Sequence, residues 1–68
     1  MEEELIHDIL FLKDYYKTSD LEDCTREVLR GELGRQAMQG ACSIFNITPN
    51  DYVKYLTEQA QNRLNKAI

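Results

Sequence analysis

Ile44-Phe45-Asn46-Ile47-Thr48-Pro49-Asn50-Asp51-Tyr52-Val53 closes one helix, turns a corner and opens another within a few residues. Asn46 tolerates the left-handed conformation that stops a helix. Thr48 brings an N-cap oxygen, and Pro49 stands at the first helical position, where a missing N–H costs nothing. Asp51, at the third position, sits near the positive end of the dipole. Ile47 and Tyr52 have the spacing of a hydrophobic staple that sets the entry angle of the last helix. Working outward from this corner, the pattern predicts an all-α fold in one domain spanning residues 1–68.

Before the corner lies Asp20–Phe45, with no proline but three glycines, Gly31, Gly34 and Gly40. Thr25, Leu29, Leu33, Ala37, Ala41 and Ile44 form one apolar stripe, flanked by Met38, Cys42 and Phe45. Two architectures fit it: one long helix, or two shorter helices joined at Gly31-Glu32-Leu33-Gly34. On a continuous helix Cys24 and Cys42 stand about 27 Å apart, whereas a bend near residue 33 would bring them face to face. The stripe keeps its phase across the glycines, which favours a long middle helix, kinked at Gly31 and Gly34. Three main helices are therefore expected, or four if the glycines mark a turn.

The first helix covers residues 3–17, opened by acids at the positive end of its dipole. Leu5, Ile9, Leu12 and Tyr16 line up as core, widened by Ile6 and Leu10. Phe11 and Tyr15 lie on another side, which a one-sided surface helix does not require, so either this helix is wrapped on two sides or the pair meets another subunit. Ser19 and Glu22 have capping-box spacing for the next helix. After the corner, Tyr52, Val53, Leu56, Ala60, Leu64 and Ala67 share one face, with Tyr55 to its side.

Size and charge limit what such a chain does. Its 68 residues make a small core, and cores of this size rarely supply more than about 3–5 kcal/mol, so a partner subunit is expected. Two cysteines are too few for a disulfide framework, and no apolar run approaches the length of a membrane span. A cytosolic location with reduced thiols follows as the expectation. The net charge of −4 is unevenly spread: residues 1–25 carry eight acids against two lysines, and the remainder six cations against four acids. An acidic front of this kind is either a solvated helix or one side of a two-faced binding module.

Nothing in the inventory builds a catalytic site. His7, the only histidine, lies among Glu3, Glu4 and Asp8 without a positioned partner, and His7, Cys24 and Cys42 have no metal-ligand spacing. Gly31-x-x-Gly34 lacks the Lys-Ser or Lys-Thr of a phosphate loop. No cofactor, metal or enzymatic activity is expected.

Residues 41–56, A-C-S-I-F-N-I-T-P-N-D-Y-V-K-Y-L, look like the helix-turn-helix units of small repressors. Cys42 takes the small position, Asn46 the turn, Ile47 the buried residue after it and Thr48 the cap. The match departs from the pattern where Asn46 replaces the usual glycine and where bulky Tyr52 stands in place of Val or Ile. The resemblance implies a DNA-binding regulator with Asn50, Asp51, Lys54 and Thr57 toward the groove and Arg35 and Arg63 on phosphates.

The favoured expectation is an interaction module of the accessory or mobile-element regulator kind. It self-associates and binds a protein partner through Phe11, Tyr15 and Tyr55, aromatics off the core stripes. DNA binding is the alternative. Sequestration of a small anionic ligand between subunits by Arg26, Arg30 and Arg35 is a third, although Glu22–Arg26 also has the spacing of an ordinary surface pair.

Overall fold

Four helices make up the computed structural model, which describes residues 2–66: α1 (Glu2–Tyr16), α2 (Leu21–Val28), α3 (Glu32–Phe45) and α4 (Pro49–Lys66). The all-α expectation holds, with no strand among the described residues. The long middle helix does not. Its place is taken by α2 and α3, separated at Leu29–Gly31, just ahead of the Gly31–Gly34 turn considered from sequence.

Local hydrogen bonding explains the break. At the end of α2, Arg30 N–H donates to the Glu27 carbonyl and Gly31 N–H to Val28, both at 3.2 Å, a tightening of the last turn. Gly31 is extended at φ −72° and ψ 164°, and its carbonyl accepts from Arg35 N–H at 2.9 Å, which starts α3. Gly34 then lets the first turn of α3 press on the end of α2. A Cβ there would stand 2.5 Å from the Val28 carbonyl oxygen and 2.7 Å from Leu29 Cα, so the close approach requires glycine.

The start of α2 is shifted by one residue from the expected capping box. Asp20, not Ser19, is the cap, its carboxylate accepting from Asp23 N–H at 3.1 Å, while Thr18 Oγ1 accepts from Asp20 N–H at 3.1 Å. Serine and aspartate cap almost equally well, so their adjacency left the register to the turn. α1 ends with Lys17 left-handed at φ 52° and Thr18 N–H reaching back to the Lys13 carbonyl at 3.1 Å, a Schellman closure without glycine.

The core is built by α1, α2 and α4. Leu5, Ile6 and Ile9 meet Leu21, Cys24, Thr25 and Leu29 on one side and Tyr52, Val53, Leu56 and Ala60 on the other. Both cysteines are free, Cys24 buried and Cys42 half-buried. By contrast α3 buries only Gly34; Leu33, Ala37, Met38 and Ala41 are half-covered. Ile44, read as the end of the stripe, and Phe45, read as flanking it, are 76% and 69% exposed. Tyr16 is likewise open, since it stands on the last turn of α1 beside the reversal at Lys17. Ala67, placed on the core face of the last helix, lies outside the described residues. No helix is long and apolar enough to cross a membrane among the described residues.

The corner between α3 and α4 forms as its residues dictate. Asn46 is left-handed at φ 55° and ψ 47°, and Ile47 N–H reaches the Cys42 carbonyl at 3.3 Å. Thr48 Oγ1 accepts from Asp51 N–H and Asp51 Oδ2 accepts from Thr48 N–H, each at 3.1 Å, a reciprocal capping box.

Candidate functional site

Two exposed aromatic surfaces stand out, and they lie on different sides. The first is on α1. Glu4, Asp8, Phe11 and Tyr15 follow one another at spacings of four, three and four along its outward line. Phe11 and Tyr15 stack with ring centroids 6.1 Å apart, and Tyr16 meets Tyr15 edge-on at 5.2 Å. Phe11 is 60% and Tyr15 69% exposed, so most of the stack faces outward. Single exposed apolar residues need no explanation, but a preassembled aromatic pair is a ready contact surface.

The second surface is a groove between the end of α3 and the start of α4, about 500 Å³, with Ala41, Phe45, Ile47, Tyr52 and Tyr55 around it and Glu2 and Asp51 at its rim. Tyr55 therefore belongs here, apart from the Phe11–Tyr15 ridge. Its ring lies 6.1 Å from that of Tyr52, and its hydroxyl donates to Glu2 Oε1 at 2.9 Å. That bond, with smaller help from burial, raises the Tyr55 phenol above its ordinary range; burial does the same for Tyr52. Sequence missed this groove, because Phe45 was read as flanking the core stripe and Ile47 as a staple against Tyr52. The signal available was the stop at Asn46, beyond which the stripe has no continuing helix to cover it.

No family model matches the chain, and no curated protein or solved structure resembles it at a significant level.

The residues expected on a DNA-facing surface are dispersed. Asn50 is exposed, but its Oδ1 accepts from Arg26 Nη2 at 3.0 Å, tying α4 back to α2. Thr57 faces inward, with its Oγ1 2.9 Å from Thr25 Oγ1 and 2.7 Å from the Val53 carbonyl oxygen. Arg63 pairs with Glu3 across α4 and α1. Lys54 and Arg35 are exposed. The outward face of α4 thus sets Lys54 against Asp51 and Glu58, and it carries no excess of positive charge.

The cations named for an anionic ligand are similarly engaged. Arg26 meets Glu22 at 3.2 Å and Arg30 meets Glu27 at 3.4 Å, while Arg35 projects from the first turn of α3. Exposed pairs of this kind contribute little to stability, but they offset the charge an anion would seek.

His7 borders an open depression with Glu3, Glu4 and Asp8, and no His/Cys/Asp/Glu group able to hold a metal occurs among the described residues. Burial, then Asp20 and Asp23, push the Cys24 thiol above its ordinary value, with Lys13 opposing. A thiol held protonated is a poor nucleophile.

Proposed function

We propose that this chain is a non-enzymatic, acidic helical interaction protein of the cytosol that self-associates and binds a protein partner, a regulator or inhibitor of the kind mobile elements encode. The Phe11–Tyr15 stack is the observation that supports it. Two rings held together on the outward side of α1 bury a large apolar area on contact at little conformational cost, since each is already held against its neighbour.

Charge selects the geometry of self-association. In a parallel α1 pair, Glu4 and Asp8 would face their own copies. An antiparallel pair about a two-fold axis near Lys13 sets Phe11 of one copy against Tyr15 of the other and keeps the Glu4 and Asp8 carboxylates of the two copies apart. The antiparallel arrangement is the one we propose.

A helix-turn-helix DNA binder is the second reading, favoured by the corner with its left-handed Asn46 and its Thr48–Asp51 box. Against it stands the α4 face described above, because DNA affinity begins with cations that displace phosphate counterions. Affinity capture with nuclease-treated and untreated arms separates the two. A protein partner retained after nuclease and lost from the Phe11→Ala/Tyr15→Ala variant is the expected result. Capture that disappears on nuclease treatment contradicts it.

A further inference from the structure

We propose that the groove between α3 and α4 docks a basic amphipathic helix of another protein. This deepens the interaction reading by giving a second face and the chemistry of what it takes. The floor and walls are apolar, from Ala41, Phe45, Ile47, Tyr52 and Tyr55. No residue from Gln36 to Asn50 is charged, so the charges in the groove lining are the carboxylates of Glu2 and Asp51. Lys54, beside Asp51, is the nearest cation along α4. An apolar trough with acids at its edge fits a helix that presents leucine-like anchors one turn apart, flanked by lysine or arginine.

The same charges argue against a second copy of this chain. Groove against groove would crowd two pairs of carboxylates together, and like charges so placed cost affinity. The α1 ridge in the groove would bring Glu4 and Asp8 toward Glu2 and Asp51. An extended peptide has no sheet edge to join among the described residues. Glu2 and Phe11 are nine residues apart on α1, two and a half turns, and so point to opposite sides of the helix. Groove and ridge can therefore be filled independently.

Calorimetric titration of the intact protein with a synthetic helix of leucine and lysine tests the proposal. A counterpart with glutamate for lysine and the same leucine face is the comparison, at physiological salt so that distant charges are screened. The lysine peptide should bind one to one, and the glutamate peptide at least about tenfold more weakly. Phe45→Ala should weaken the lysine peptide by roughly tenfold, as removal of a central anchor does. Phe45 is exposed, so this variant should keep its helical circular dichroism; Glu2→Gln, which retains an acceptor for Tyr55, should weaken binding by about threefold. Phe11→Ala/Tyr15→Ala should change it by less than about twofold. No binding of the lysine peptide, equal affinity for both peptides, or indifference to Phe45→Ala overturns the proposal. Loss of peptide binding in Phe11→Ala/Tyr15→Ala alone overturns it too, while leaving the α1 surface as the contact face.

Discussion

Thr25 of α2 and Thr57 of α4 face each other hydroxyl to hydroxyl, 2.9 Å apart, beside an otherwise apolar core. Thr25 is fully buried and donates to the Leu21 carbonyl at 2.8 Å, leaving its oxygen free to accept. Thr57 has one proton, within reach of both Thr25 Oγ1 and the Val53 carbonyl. Each hydroxyl therefore keeps a backbone partner if the other is removed. Thr25→Val or Thr57→Val alone should cost about 0.5–1.5 kcal/mol, and the double variant less than the sum, because two apolar groups of the same shape leave nothing unpaired. Chemical denaturation of the four proteins in the cycle measures the coupling; strict additivity would mean that the hydroxyls do not interact.

The Thr48–Asp51 box makes the corner sensitive to acid. Hydrogen bonds from the backbone and hydroxyl side of Thr48 hold the Asp51 carboxyl below its ordinary value of 3.8. A depressed carboxyl contributes stability that is complete above its unfolded value and is lost as pH falls through the folded one. Melting temperature should drop below pH 3.8 in the wild type, and part of that drop should be absent from Asp51→Asn. At neutral pH, Thr48→Ala should cost about 0.5–2 kcal/mol, since one helix-end donor loses its acceptor. A wild-type denaturation midpoint in Thr48→Ala would place the start of α4 elsewhere.

Two glycines of α3 should respond to alanine with opposite signs. Gly40 has open space where a Cβ would go, so Gly40→Ala should stabilise by up to about 1 kcal/mol. Gly34→Ala drives a methyl into the backbone of α2 and should destabilise by about 1–3 kcal/mol. Thermal melts of both variants decide this. A neutral Gly34→Ala would mean that α3 does not press on α2.

Lys54 tests the DNA reading. Duplex binding at low salt should be weak and nearly unchanged in Lys54→Ala, given Asp51 and Glu58 beside it. Submicromolar binding that is lost in the variant and falls steeply with added salt would favour the helix-turn-helix alternative.

The Asn46 corner was legible because each of its residues has a local reason to be there: a left-handed stop, a hydroxyl cap, a proline and an acid at the dipole. The end of α1 was read to within one residue, at 17 against Tyr16, but the left-handed conformation of Lys17 was not, since lysine carries no preference for it. The break between α2 and α3 was one of two readings that the glycines left open, and the other was favoured. Periodicity records which face is apolar, and that face keeps its phase whether or not the chain reverses at Gly31. Phe11 and Tyr15 were legible as lying off the core line of α1, and their exposure removes the reading of a helix wrapped on two sides. Ile44 was misread because it ends a stripe whose last turn is left exposed, and Phe45 beside it is exposed with it.

Self-association through the Phe11–Tyr15 ridge, as proposed, is decided by sedimentation equilibrium of the wild type and Phe11→Ala/Tyr15→Ala at micromolar concentration. Both residues are exposed, so the variant should remain folded with unchanged helical circular dichroism. The wild type should sediment as a dimer or larger species and the variant as the 8.0 kDa monomer. A wild type that shows only the 8.0 kDa species, or a variant that associates as the wild type does, would rule out the ridge as the contact between copies.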